Sequence, residues 1–369
     1  MKSTLVWITT LLALGLLALH GAEPNGHEAD RISESCVTLR GEIRLAEALS
    51  KLTATGNPVV DLRPRLGQEV SDPLLRLDLS DAPFWQAADA IAAQAQLRLT
   101  PHMDRGSGLP ALGIQALSNE GIPSLIPTAY VGPFRIRLKR MTATRDLAEP
   151  LADKLVCILE LAAEPRLEPI LLRHEKDCIG YGFSNKRGKA SLSAGTGVIP
   201  WLGQASLEIP VSLPLPPRAD PVLTELKGSF KVLIPTGKVT FRLDGPKAGL
   251  EENRDGISLQ ILGVTFSPSG TQCRVQLRLR YPEGSLALES HQTWAFERNR
   301  LELRHRQTGT LLRPAGTEIG IDEGREVRIT YTFRDLPESR LVDYELLYQT
   351  FSPPTLYPLE FSLRDLPLP

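Results

Sequence analysis

The chain has 369 residues with 42 basic and 43 acidic side chains, and a net charge of −1 with its cations dispersed leaves no basic stripe for gripping a nucleic-acid backbone. That length is long for one domain and calls for two or three. Thirty prolines and 29 glycines fall mostly between apolar runs, which suits a turn-rich β protein better than a disordered one.

The N-terminus, MKSTLVWITTLLALGLLALHGAEPNG, has a basic Lys2, an apolar run from Leu5 to Leu19, and His20-Gly21-Ala22 before the polar stretch. That is the layout of a secretory signal peptide over residues 1–22, with cleavage after Gly21 or Ala22. The other reading is an uncleaved anchor, but the apolar run is short of the ~20 residues that cross a bilayer. No second hydrophobic span follows, so no integral membrane segment is expected after cleavage. The expected location is the periplasm or the extracellular space. Residues 23–35 read as a polar lead-in.

Residues 36–102 carry strand–helix–strand punctuation twice. Val37 and Leu39 alternate with polar neighbours as in a strand with one buried face. Leu45, Ala48, Leu49 and Leu52 then fall at helical spacing on one side. Gly56-Asn57-Pro58 stops that helix, and Val59 and Val60 restart a strand. In the second half Leu75, Leu77 and Leu79 alternate, Asp81 is placed to cap a helix with Pro83 in its first turn, and Phe84, Ala87, Ala88 and Ile91 repeat the helical face. Leu97 and Leu99 close the unit. This pattern resembles the short N-terminal domain shared by secretins and signal-transducing TonB-dependent receptors. The resemblance rests on Leu45, Ala48, Leu49 and Leu52, then Phe84, Ala87, Ala88 and Ile91. It implies an envelope module used for protein contacts, without chemistry of its own. No transmembrane barrel or channel-forming region follows it; the remainder resembles exported bacterial β-sandwich proteins.

Residues 103–129 are rich in Gly, Pro and Ser and read as a linker, with a short hairpin carrying Ile114 and Leu117. From Gly132 the period changes to two: Phe134, Ile136, Leu138, then Leu155, Cys157, Leu159, Leu161. The segment from Leu213 to Val222 holds four prolines and reads as an edge or a linker. A second run begins near Gly256, with Ile257, Leu259, Ile261, then Cys273, Val275, Leu277, Leu279. FRIRLKRMTATRD…KLVCILELAAEP and ISLQILGVTFSPSG…CRVQLRLRYPEG share a rhythm. The expected fold is therefore multidomain: a small α/β N-terminal module, then a mainly-β region of immunoglobulin-like or similar β-sandwich type. Its expected divisions are residues 130–245 and 246–369, with one large sandwich as the rival reading.

Of the four cysteines, Cys157 and Cys178 are nearest in sequence and are the candidate disulfide; the alternative is four buried free thiols. The sequence holds no nucleophile elbow, no His-Glu-x-x-His and no phosphate loop. His174, Glu175, Asp177 and Cys178 include metal-ligating types, but they read more plainly as a charged turn. His291 and His305 lie near Trp294 and Phe296. Asp255-Gly256 and Asp322-Glu323-Gly324 lack full calcium-loop spacing and read as hairpin turns. No catalytic, cofactor or metal residue is assigned. The expected role is a non-enzymatic envelope protein that contacts an envelope protein partner. The alternative is a carbohydrate-binding or hydrolytic protein with Trp85, Trp201 or Trp294 exposed beside carboxylates in a groove.

Overall fold

A computed structural model describes residues 32–369 apart from 118–125, 146, 150–152, 185, 193–196, 218–220, 270, 284, 286, 287, 290, 323–325 and 337. The expected signal peptide thus lies outside the described residues. The described chain forms a small α/β module and two packed pairs of β-sheets, each with its own apolar core.

In the module, β1 (Cys36–Arg44), α1 (Leu45–Ala54), β2 (Val59–Asp61), β3 (Leu74–Pro83), α2 (Phe84–Ala95), β4 (Leu97–Met103) and β5 (Pro110–Ala116) follow in order. Strands β1 and β3 pair antiparallel, and β5 is central between a parallel β2 and an antiparallel β4. Both helices bury the face their spacing marks: Leu45, Ala48 and Leu52 on α1, Phe84, Ala87, Ala88 and Ile91 on α2. Each large side chain so buried is worth about 1.5–3 kcal/mol. Gly56, at φ +87°, follows the end of α1 as the sequence indicates.

The helix starts differ from expectation. Asp81 does not cap α2; it sits inside β3 with φ +51°, and its own N–H donates to Thr38 Oγ1. The Phe84 N–H is satisfied instead by the Ser35 carbonyl at 2.8 Å, a partner remote in sequence. Likewise the N–H groups of Leu45 and Ala46 donate to the Pro73 carbonyl and the Asp72 carboxylate. Local capping signals cannot reveal a cap that the fold delivers from elsewhere.

The expected linker also needs correction. Strand β5 lies within residues 103–129, yet Leu112 and Ile114 are fully buried. The short hairpin expected around Ile114 is the end of this β4–β5 pair; its full extent carries no signal because Pro110 to Ile114 are all buried, so no alternation marks them. Gly113 permits the packing: a Cβ there would stand 2.7 Å from Leu62 Cδ1.

The first sandwich contains β6 (Thr128–Val131), β7 (Phe134–Thr144), β8 (Lys154–Ala163), β9 (Leu171–Arg173), β10 (Ile179–Gly182), β11 (Arg187–Ala190), β12 (Val198–Pro200), β13 (Leu207–Pro214) and β14 (Val222–Pro235). One sheet runs β13-β8-β7-β6 and the other β11-β10-β14-β9-β12. Pro210 and Pro214 sit on the edge strand β13, where a missing N–H is tolerated. The second sandwich contains β15 (Lys238–Asp244), β16 (Glu251–Arg254), β17 (Ile257–Phe266), β18 (Gln272–Arg280), β19 (Arg300–His305), β20 (Leu311–Leu312), β21 (Gly316–Asp322), β22 (Glu326–Arg334) and β23 (Tyr344–Phe351). Its sheets run β15-β23-β19-β20 and β16-β17-β18-β22-β21. The last strand, β24 (Pro354–Pro367), returns to the first sandwich and pairs antiparallel with β14 along its whole length.

Strand pairing therefore does not follow the expected division at residues 245 and 246. Strand β15 belongs with the second sandwich through β23, and β24 belongs with the first through β14. Sequence rhythm marks strands but is silent on which partner each one finds.

The shared rhythm has a structural counterpart. In the first hairpin Ile136 faces Leu161 and Leu138 faces Leu159, then the register shifts before Met141 meets Cys157. In the second, Leu259 faces Leu279 and Ile261 faces Leu277, then the register shifts before Val264 meets Val275. The third strands match as well: Leu161 and Leu159 face Leu207 and Ile209, while Leu279 and Leu277 face Val327 and Ile329. A bulge at the same point bends both hairpins over their cores.

Candidate functional site

The site grows from the corner that ends β8. Glu164 is 1% exposed and accepts from the Ser35 N–H and hydroxyl, each at 2.8 Å, from Asn57 Nδ2 and from Arg166 Nε at 2.6 Å. The Arg166 N–H in turn donates to Asn57 Oδ1, and its guanidinium reaches the Ser33 carbonyl. A carboxylate that deep is tolerable only because its lone pairs are filled by charged and neutral donors. The corner thereby ties the module to the first sandwich.

A second tie lies on the outer face of the β13-β8-β7-β6 sheet. Arg135 is fully buried, with its guanidinium 4.1 Å from the Trp85 ring centre and Nη1 2.9 Å from Asp89 of α2. Its Nη2 faces Glu160 at 3.8 Å, an ion-pair distance rather than a hydrogen bond. Arg137 and the Tyr130 hydroxyl also donate to Asp89, and Trp85 Nε1 donates to the Pro133 carbonyl. Burial lowers the Arg135 pKa to about 10 against the opposing pull of Asp89, so the side chain is still a cation at neutral pH.

Beyond Glu164 the chain turns through Leu167 and reaches Glu168. Its carboxylate is held by Lys238 Nζ at 2.6 Å and Arg298 Nη1 at 3.0 Å, both from the second sandwich. Arg298 Nη2 donates to the Gly108 carbonyl of the module, so one guanidinium touches all three units. These groups border a cavity of about 360 Å³ whose polar wall includes Asn299 and Thr350, with Ile170, Leu202 and Phe351 on its apolar side. The polar wall is fixed from behind. Asn299 Nδ2 donates to the Tyr348 hydroxyl at 2.7 Å, its Oδ1 accepts from Thr350, and Tyr281 closes the chain on Thr350 at 2.7 Å. Burial pushes both phenols up, so they remain neutral. The apolar junction beneath is shared: Leu171 and Leu233 join the second core while Leu172 and Val232 join the first.

The residues singled out in the sequence lie elsewhere. Glu175 and Asp177 are exposed in the loop before β10, where Asp177 bonds Ser191, and among the described residues no group of three His, Cys, Asp or Glu side chains is placed to hold a metal. His305 Nδ1 accepts the Thr308 N–H in its own turn and its ring packs edge-on to Tyr344. Exposed His291 pairs with Glu289. Asp255 and Gly256, both at positive φ, form the turn between β16 and β17. Glu323 and Gly324 lie outside the described residues, between the paired β21 and β22.

Two expectations are corrected. Cys157 and Cys178 are not bridged; all four cysteines are thiols outside any disulfide, with Cys157 inside the first core and Cys178 at its margin. Among the described residues no groove of exposed tryptophans forms. Trp85 is 3% and Trp201 1% exposed, and Trp294 packs against the second core. The junction groups were invisible in the sequence, since Glu168, Lys238 and Arg298 are ordinary surface types until the two sandwiches meet.

No family model matches the chain, and no curated protein matches it. Solved structures of faint likeness include two. The envelope protein VP37 of White Spot Syndrome Virus is 14% identical, with a TM-score of 0.22 over 36% of this chain and 98% of that one. A conserved domain protein from Bacillus anthracis is 9% identical, with a TM-score of 0.20 over 66% of this chain and 90% of that one. Likenesses of that depth carry no argument.

Proposed function

We propose that the chain is a non-enzymatic exported envelope protein with a structural or protein-interaction role. One observation carries the reading. The outer face of the first sandwich is covered around Arg135 by α2 of the module, while on the corresponding face of the second Arg274, Gln276, Arg280 and Arg328 are exposed. Where the first has Glu160 beside Glu208, the second has Arg278 beside Arg328, and Arg274 and Arg280 extend the row. Glu326 pairs with Arg278 and Arg280, and Glu318 lies on the same face two positions along β21 from Gly320, the partner of Arg328, so the row sets guanidinium groups among carboxylates. Such a face suits a partner presenting carboxylates, as α2 presents Asp89 to Arg135 and Arg137. Among the described residues no helix is long and apolar enough to cross a membrane, a statement that does not extend to barrel strands.

A photo-crosslinker at Gln276, on the open face, tests the reading in cells that export the protein. The expected result is one discrete adduct with an envelope protein, lost in the Arg278→Glu/Arg328→Glu variant. Absence of any adduct there and at the module positions Leu66 and Val70 would overturn it.

A further inference from the structure

The cavity between the two sandwiches has a use beyond scaffolding. We infer that it binds a small organic carboxylate with an apolar body. Cavities at domain junctions with volumes of about 300–1,000 Å³ are the usual places for small ligands, and this one, at about 360 Å³, lies in that range. Its lining carries three cations, Arg166, Lys238 and Arg298, against the single carboxylate of Glu168. Glu164 compensates Arg166 from outside the lining, turned toward the module. Glu168 is shared by Lys238 and Arg298, so one cationic charge at the cavity is uncompensated.

The donors are also in surplus. Lys238 spends one contact on Glu168, and an ammonium has three protons to give. The existing Glu168 clamp shows the geometry in which this pair of cations takes a carboxylate. A ligand carboxylate would lie beside it on the remaining Lys238 donors. Its body would rest on Leu202, Ile170 and Phe351, while the Asn299–Thr350 wall, locked by Tyr348 and Tyr281, keeps its shape without the ligand. A preorganised wall reduces the ordering that binding would otherwise require.

Isothermal titration of the full mature chain provides the test. Benzoate and cyclohexanecarboxylate are the probes, benzyl alcohol and cyclohexanemethanol their uncharged counterparts, and inorganic phosphate the bare anion. The expected result is saturable binding of the carboxylates, at least about tenfold weaker binding of the alcohols, and no enthalpy change of binding with phosphate. Lys238→Met, at a half-exposed side chain, should weaken the carboxylates about tenfold, the loss of one charge-assisted contact. Leu202→Trp, which fills the cavity from its apolar side, should abolish binding while circular dichroism stays unchanged. Failure of both carboxylates to saturate at concentrations on the order of 10 mM would overturn the inference. So would binding that persists unchanged in Leu202→Trp. Neither outcome touches the crosslinking result at Gln276, so the two readings fail separately.

Discussion

The two sandwiches share a three-strand frame, register for register, and differ in what is laid upon it. On β7, β8 and β13 the outer face receives α2 of the module, with Arg135 between Asp89 and Glu160. On β17, β18 and β22 the same positions lie open, and arginine replaces glutamate at two of them. A second difference lies at the edge. In the second sandwich β15 follows directly from β14 of the first and pairs with β23; in the first, the edge beside β14 is filled by the last strand of the chain. The frame is set by inward apolar positions, which are alike. The outward positions are free to diverge, and they decide whether a face is covered, joined or exposed.

The largest test of this comparison is truncation after Ser352. It removes β24 and with it the buried Leu359, Phe361, Leu363 and Leu366. The first sandwich should lose its cooperative unfolding transition, while β17, β18 and β22 keep slow amide exchange. Simultaneous loss of protection in both would make the two sandwiches a single cooperative unit. Next in size is the β8 corner. Glu164→Ala leaves Arg166 without its buried partner and should cost about 3–5 kcal/mol in urea unfolding. Gln276→Ala, on the exposed outer face of β18, should stay within about 0.5 kcal/mol. Equal losses at the two positions would erase the distinction drawn between the two faces.

Smaller effects follow. Gly256 sits at φ +77° with Pro282 Cγ 3.1 Å from where a Cβ would stand, so Gly256→Ala should cost about 1 kcal/mol or somewhat more. Least visible at neutral pH is the thiol at Cys157, which takes the inward place that Val275 takes in the second hairpin. Burial pushes it up to about 12. Because the folded value is raised, the folded state holds the proton longer. The associated stability is present in full below the ordinary thiol pKa of about 8.5 and is lost as pH rises toward 12. Alkylation by iodoacetamide at pH 9 should therefore label exposed Cys36 first and reach Cys157 only on unfolding. Early labelling of Cys157 would show that the first core opens more readily than its packing indicates.

Much of the fold was legible in the sequence because its signals are local. The helical faces Leu45–Leu52 and Phe84–Ile91 and the alternating runs of β7, β8, β17 and β18 state which side is buried. Of strand β5 only the stretch around Ile114 was legible, because a central strand buried on both faces has no period to display. The α2 cap escaped because Ser35 supplies it across the fold. Of the candidate site almost nothing was legible. Arg135 and Glu164 are charged types that a sequence reading places in water, and only packing reveals that each is enclosed.

The sequence by itself determined the class of architecture: an α/β module, then two β runs of one rhythm. Periodicity follows from side-chain direction along a helix or a strand, which the chain carries within a few residues. Tertiary structure alone decided the partners. It sent β24 back to β14, set Arg135 against Trp85 and Asp89, and brought Glu168, Lys238 and Arg298 around one cavity. Those contacts join residues scores of positions apart, and the free energy that selects them comes from enclosing charge and apolar surface together, a quantity that no short window of sequence contains.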